Sequence, residues 1–187
     1  MTLEINYIIN QHLMCMVGVY DRNGKTCTIV REVNKTFIVD KSPLEILEIS
    51  IKSIGFNLKG AMATSKWFLG DIHMCPVMVN PILKICLFPI QSAKRVDTMW
   101  FNPDHIHRTN SFYRKTNVKF KNGFHMLVNS KLSSFNNKLK IAEQYQEITV
   151  EAGKNPTAFL LESKNIQLIL SHLLVFKLIA EVLEIIC

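Results

Sequence analysis

The chain has 187 residues and a formal net charge of +7, with 48% hydrophobic and 20% charged residues. This length suits one globular domain with a hydrophobic core and an appended helical segment, rather than two full domains. The hydrophobic fraction excludes an intrinsically disordered chain, in which strong polar bias prevents burial of a core.

The first forty residues are typical of a β-meander. β-Branched and apolar residues cluster in four segments between turn signals, and each segment predicts a strand. The four segments are Ile5–Ile9, His12–Tyr20, Thr26–Glu32 and Thr36–Val39. Asn23-Gly24 predicts the tight turn of a hairpin, since both residues tolerate a positive φ.

A helix is predicted over residues 43–54. Ser42 can cap its N-terminus, Pro43 suits the first helical position, and Glu45 completes a Ser-x-x-Glu capping box. Gly55 favours the left-handed conformation that ends a helix. Apolar residues recur at spacings of three and four and predict a stripe that packs on the sheet: Leu44, Leu47, Ile51 and Ile54.

The middle of the chain predicts further short strands. The sequence of residues 56–75 is compatible with a loop, a short helix or a strand. Proline and Asn-Gly signals then bound several apolar runs. These predicted strands are Val77–Val79, Ile82–Phe88, Thr98–Phe101, Asn117–Lys121 and Phe124–Asn129, the last two forming a hairpin about Asn122-Gly123.

Helical spacing begins at Ser133, with Ser134 as a candidate cap. A long apolar helix is predicted over Phe159–Cys187. Its charged residues, Lys177, Glu181 and Glu184, argue against a membrane span and for a buried or subunit-interface helix.

The expected fold is therefore α+β, mostly antiparallel and strand-rich in the N-terminal two-thirds with one capped helix, and helical at the C-terminus. We expect a domain over residues 1–150 and a helical segment over 151–187.

Positive charge is concentrated in residues 84–140, which contain 11 basic and only 2 acidic residues. Such a block favours phosphate binding, although a solvated basic face explains it equally well. Aromatic residues interleave with the block and could stack on bases, but core packing is the more common role. The predicted nucleic-acid contacts are Lys94, Arg95, Arg108, Arg114, Lys115, Lys119 and Lys121.

Local motifs give no support to an enzyme. No nucleophile, phosphate-loop or dinucleotide signature is present, and His105-x-His107 and His73-x-Cys75 lack the four convergent ligands of a zinc site. We therefore predict no catalysis, cofactor or metal. A metal-dependent nuclease stays open as a weak alternative, because a fold can bring distant residues together.

Two segments resemble the ComK competence transcription factors. KSPLEILEISIKSIGFNLKG at 41–60 is similar to that family's SPLEI helix, and PVMVNPILKICLFPIQS at 76–92 is similar to its double-proline strand region. The spacing of Trp100, His105 and Ile106 also matches. The resemblance covers roughly residues 25–130. Ile90 and Ala93 depart from the family pattern, where threonine and proline are common.

The resemblance implies a DNA-binding transcription activator of competence genes that recognises paired AT-rich boxes largely through the minor groove. It implies double-stranded DNA as partner, a homo-oligomer, and RNA polymerase as a further partner. The residues themselves predict a cytoplasmic location without membrane association, because the first residues have no basic segment before an apolar stretch and the predicted last helix is charged. The five cysteines contain no Cys-x-x-Cys pair, which also favours the reducing cytoplasm. The alternative is a basic protein-interaction or regulatory module without sequence-specific DNA binding.

FLLESKN at 159–165 is similar to the family segment that engages the MecA adaptor for Clp proteolysis. Phe159, Leu161 and Lys164 match that segment, whereas Glu162 and Ser163 replace tyrosine and proline. We therefore expect a weakened or altered adaptor contact.

Overall fold

The computed structural model describes residues 2–154, and the expected α+β class is confirmed. The predicted helix Phe159–Cys187 and the adaptor-like residues Phe159, Leu161 and Lys164 lie outside the described residues. The division predicted at residue 150 stays a prediction, and the last described helix continues past it to Lys154.

The described chain alternates short strands with three α-helices. The strands are β1 (Leu3–Glu4), β2 (Leu13–Tyr20), β3 (Thr26–Glu32), β4 (Thr36–Val39), β5 (Val77–Asn80), β6 (Ile85–Pro89), β7 (Met99–Phe101), β8 (Ile106–Phe112), β9 (Lys115–Phe120) and β10 (His125–Val128). The helices are α1 (Pro43–Lys52), α2 (Leu58–Leu69) and α3 (Leu132–Lys154).

Seven of these strands form one sheet in the order β1-β4-β3-β2-β7-β6-β5, and the other three form a second sheet in the order β10-β9-β8. All neighbouring pairs are antiparallel except β1 and β4. The predicted β2–β3 hairpin is present, and Gly24 has the positive φ of 78° that its turn requires. The mostly antiparallel prediction is thus confirmed.

Helix α1 forms as its sequence predicts. The Ser42 hydroxyl accepts a hydrogen bond from the Glu45 backbone N–H, and the Glu45 carboxylate accepts one from the Ser42 backbone N–H at 2.7 Å. The helix ends at Lys52, and Gly55 adopts a φ of 86° just beyond it. Ile46, Leu47 and Ile51 are fully buried against the large sheet.

The open segment 56–75 contains helix α2. Asn57 is its N-cap, since the Asn57 side-chain oxygen accepts a hydrogen bond from the Gly60 N–H at 2.6 Å. Gly70, with a φ of 81°, ends it. The N-terminal two-thirds of the chain therefore has two capped helices, α1 and α2, where one was predicted and residues 56–75 were left open.

Three local predictions were wrong. Ile5–Ile9 is not a strand, because the Ile9 N–H donates to the Ser50 hydroxyl of α1 instead of to a neighbouring strand. Ser134 does not cap α3, because that helix begins before it, at Leu132. The Phe135 N–H donates to the Lys131 carbonyl, which is already a helical hydrogen bond. Strand β8 was missed because its mostly polar residues, HRTNS, are largely exposed and give no apolar alternation.

The large sheet is buried on both faces. Trp100 and Leu87 belong to the core that lies under α1 and α2, whereas Phe101 and Phe88 belong to the core on the opposite face. That second core also contains Val118 and Phe120 of β9 and Phe135 and Ala142 of α3. The small sheet and α3 therefore cover the second face of the large sheet.

Replacing Ser42 with alanine tests the α1 cap. We expect Ser42→Ala to lower the free energy of unfolding by about 1 kcal/mol, because the Glu45 N–H loses its acceptor. Chemical denaturation measures the loss. Ser134→Ala is the matched control: this exposed serine lies inside α3, so its replacement should leave stability unchanged or slightly higher. Equal losses in both variants would contradict the assigned caps.

Candidate nucleic-acid interface

The candidate interface is the small sheet of β8, β9 and β10. The sequence of β9 alternates strictly, with Thr116, Val118 and Phe120 buried and Lys115 and Lys119 more exposed. Successive strand residues point to opposite faces, so one face of the sheet joins the core and the other meets solvent. The buried face is held by stacking of Phe120 on Phe101, with ring centroids 6.2 Å apart.

Hydrogen bonds fix the small sheet to the rest of the domain. The side-chain amide of Asn102, buried just before the sheet, donates to the Leu13 carbonyl at 3.1 Å. Asn122, in the β9–β10 turn, donates to the Val33 carbonyl at 2.8 Å. The Thr109 hydroxyl donates to the Asn136 side chain of α3 at 2.7 Å. These contacts join the sheet to β2, to the turn after β3 and to α3.

The strand register determines the composition of the exposed face. One cross-strand row contains Arg108, Lys119 and His125, because Lys119 pairs with both of the others. The next row contains Asn110, Asn117 and Leu127, and Phe112 pairs with Lys115 beyond it. We call these residues the outer face: Arg108, Asn110, Phe112, Lys115, Asn117, Lys119, His125 and Leu127.

The positive charges of the outer face on β8 and β9 have no acidic residue near them in the sequence. No aspartate or glutamate occurs between residues 105 and 142. Within residues 2–154, no ion pair to a carboxylate involves Arg108, Lys115 or Lys119. Two cations that face each other across neighbouring strands repel, as Arg108 and Lys119 do here. A bound polyanion would relieve that repulsion.

Each end of β9 adds a cation. Arg114 lies in the two-residue turn between β8 and β9, and Lys121 lies in the turn between β9 and β10. Both side chains are exposed. The Lys121 backbone N–H donates to the His105 carbonyl at 2.9 Å, which fixes that end of the strand. Five of the seven predicted contact residues therefore lie in the small sheet and its turns.

The remaining two predicted residues, Lys94 and Arg95, lie elsewhere. They are exposed on the loop before β7, whereas the small sheet follows β7. The Arg95 guanidinium donates two hydrogen bonds to the Asp97 carboxylate, both at 2.9 Å, and thereby holds the pKa of that carboxyl below its ordinary value. Arg95 is thus partly neutralised by its neighbour.

The interleaved aromatic residues divide between two environments. Trp100, Phe101 and Phe120 are at most 1% exposed and pack in the core. Phe112 and Tyr113 are exposed at the β8–β9 hairpin, where stacking on a ligand is sterically open. Sequence reasoning did not separate these groups, because the strand β8 that orients Phe112 was not predicted.

Several polar residues of the candidate interface were missed. Asn110, Asn117 and His125 belong to the outer face, and the Asn117 amide lies 3.3 Å from Nδ1 of His125. Arg31 of β3 places its guanidinium carbon 3.7 Å from the centre of the Phe124 ring. The alternation of β9 was a usable signal for Asn117. Nothing local indicated Arg31, which is distant in sequence.

The described residues contain no metal-capable cluster and no membrane-spanning helix. Within residues 2–154, no group of three or more metal-capable side chains converges, and no helix has the length and apolarity needed to cross a bilayer. His105 is engaged by the Gln11 carbonyl, with Nε2 2.7 Å away. The cysteines at 15, 27, 75 and 86 are buried thiols, and burial raises the pKa of Cys15 to about 12.

Comparison with known proteins determines the family. The family model described as ComK protein matches residues 4–153, which include both sheets and nearly all of α3. The chain belongs to the ComK family. Residues of this ComK-family chain are also 30% identical, over 118 residues, to a competence transcription factor of Bacillus subtilis (strain 168). That alignment covers 63% of this chain and 62% of the relative. No solved structure gives a significant match.

Lys119→Gln tests the repulsion on the outer face. We expect this substitution to raise the free energy of unfolding by about 0.2–1 kcal/mol at low salt, because Arg108 loses the like charge opposite it. The gain should shrink as salt screens the pair. Denaturation at two salt concentrations measures it. Lys25→Gln is the control, because Lys25 has an oppositely charged partner, Asp40, at 2.7 Å. Removing this cation loses an attraction, so the free energy of unfolding should not rise.

Proposed function

We propose that this ComK-family chain is a DNA-binding transcription activator of competence genes that recognises paired AT-rich boxes, largely through the minor groove. The family match and the name of the Bacillus subtilis relative support the role in competence transcription. The outer face of the small sheet is the observation that carries the DNA-binding part. No catalytic step, metal or cofactor belongs to the proposal.

The outer face suits a phosphate backbone because its cations are rigidly spaced and unpaired within the described chain. Arg108, Lys115 and Lys119 project from β-strands whose opposite face is packed in the core. The backbone of such a platform is already ordered and loses little further freedom on binding, whereas the backbone of a loose loop would lose more. Arg114 and Lys121 extend the same charge beyond both ends of β9.

AT-rich DNA supplies a complementary surface. A-tracts have a narrow minor groove with strengthened negative potential, and inserted Arg or Lys side chains gain from that shape without a unique base code. Asn110 and Asn117 add amide groups to the same face, which can hydrogen-bond to base-edge acceptors or to phosphate oxygens. A face with both cations and amides is better suited to reading a groove than a face with cations alone.

The remaining parts of the proposal concern the cell and its partners. We place the protein in the cytoplasm, acting as a homo-oligomer on paired boxes, because two boxes in one site match two copies of one reading surface. RNA polymerase and a MecA-type Clp adaptor are the further proposed partners, the latter through Phe159, Leu161 and Lys164.

An A-tract/T-tract duplex and a G·C-rich duplex of equal length test the central claim. We expect binding at least about tenfold tighter to the AT-rich duplex, with both affinities falling steeply as salt rises, because counterions are released from the phosphates. Gel shifts over a salt series measure this.

Replacing A·T by I·C pairs keeps the minor-groove pattern and alters the major groove, so binding should survive. Loss of binding with I·C pairs would contradict minor-groove reading.

Charge-neutralising pairs test which cations contact DNA. We expect Arg114→Gln with Lys115→Gln to lower affinity and to reduce the slope of log affinity against log salt by about 1.8 per protomer. Lys94→Gln with Arg95→Gln removes the same formal charge from the loop before β7. If the outer face is the interface, this second pair should change the slope less. Equal changes would mean that total charge governs binding, and an unchanged slope in the first pair would contradict the proposal.

A protein partner is the competing function. A basic module that meets an acidic protein would be displaced by an acidic peptide, whereas a DNA-binding protein would be displaced by poly-dA·dT at matched charge concentration. We expect displacement by the nucleic acid alone.

A further inference from the structure

The tip of the β8–β9 hairpin exposes two aromatic side chains next to two cations. Phe112 is 50% exposed and Tyr113 is 91% exposed, and their rings meet edge to face with centroids 5.0 Å apart. Arg114 and Lys115 follow directly in the chain. Two neighbouring rings exposed in this way form a small apolar patch beside positive charge, which suits a binding role.

The backbone at the tip is also unfavourable. Tyr113 has a φ of 53°, a left-handed conformation that glycine or asparagine normally supplies in a two-residue hairpin turn. A tyrosine at this position costs stability, and the only side-chain hydrogen bond to its backbone in the described structure is from the Ser111 hydroxyl, at 3.3 Å. An unfavourable conformation that places a large ring at the outermost point is typical of a functional residue.

The surroundings of the tip favour a polyanion over a protein or a lipid surface. Lys115 pairs with Phe112 across the two strands, and the face that continues from the tip presents Asn110, Asn117 and Lys119. A membrane-inserting hairpin would extend its apolar surface along the strands, whereas this face becomes polar one residue pair from the tip. No carboxylate follows until Glu143.

We propose that Phe112 and Tyr113 act as an aromatic wedge that enters the minor groove and inserts between base pairs, while Arg114 and Lys115 hold the flanking phosphates. The proposal rests on the DNA-binding function proposed above, and it names the residues that deform the duplex. Apolar side chains that partly unstack a base step are a recurring device of minor-groove proteins.

The dimensions of the groove support a wedge rather than an inserted ribbon. The minor groove of B-DNA is about 6 Å wide, whereas the major groove, about 12 Å wide, admits a two-stranded β-ribbon. The two strands themselves therefore cannot enter an undistorted minor groove, and only side chains can reach into it. Pyrimidine–purine steps unstack most readily, so the wedge should prefer a TA or CA step beside an A-tract.

Phe112→Ser with Tyr113→Ser tests the wedge. The probe is an A-tract/T-tract duplex that contains one TA step, with 2-aminopurine placed in turn at each adenine, since this base fluoresces when it unstacks. We expect the unchanged protein to raise the fluorescence severalfold at one TA step. The double variant should abolish the rise and weaken binding about tenfold, with its salt slope unchanged because Arg114 and Lys115 remain.

Two further variants separate the wedge from effects on folding. Tyr20→Ser removes another exposed tyrosine, 64% exposed at the end of β2, and should leave fluorescence and affinity unchanged. Tyr113→Gly relieves the positive φ, so it should raise the melting temperature and yet reduce the fluorescence rise. A Tyr113→Gly protein that keeps the full rise would overturn the role of that ring.

Other outcomes discriminate among explanations. If the unchanged protein lacks preference for the AT-rich duplex, the proposed function itself fails. If it binds that duplex tightly while no 2-aminopurine position brightens, the wedge alone is wrong. Binding to anionic phosphatidylserine vesicles that the double variant loses, without any change in DNA unstacking, would instead assign the tip to a membrane.

Discussion

Burial of the inner face of the small sheet is the constraint on which the candidate interface depends. Phe101 is stacked on Phe120 and meets Phe135 edge to face, with ring centroids 6.2 and 5.4 Å apart. Side chains alternate along a strand, so fixing Phe120 and Val118 inward forces Lys119 outward. A one-residue slip would bury two lysines, and the aromatic cluster therefore fixes the register of the charged face. The position of each cation follows from packing on the other side of the sheet.

The same sheet illustrates how a binding surface can oppose stability. Arg108 faces Lys119, and Tyr113 has a backbone conformation that a side chain disfavours. Neither feature helps the isolated domain fold. Compensation comes from elsewhere, including the α1 capping box, the buried side-chain bond from Asn102 to β2 and the doubly covered large sheet. Both features lie on the surface that we propose meets DNA, although Met74 and Lys84 have a positive φ elsewhere in the described chain.

The sequence predicted most elements whose signals are local. The β2–β3 hairpin and α1 have a turn dipeptide and a capping box, and both formed as expected. Strand β8 lacks apolar alternation because its residues are polar except at its two ends, Ile106 and Phe112, and none of them is fully buried. The charge block predicted a basic region, but only tertiary pairing separates Arg108 from Arg95. Which cations share a face is a property of register, and register depends on contacts distant in sequence.

The two-residue turn at the end of the β8–β9 hairpin lies beyond the buried part of β9, and no residue of β8 is fully buried. Thr116 is the first β9 side chain that reaches the interior, so Phe112, Tyr113, Arg114 and Lys115 are all exposed. Substitutions at these positions leave the core unaltered, so ring size and charge can change there without loss of core packing. In this family, a change of target preference could therefore arise through the tip alone, with the rest of the domain preserved as an inherited scaffold.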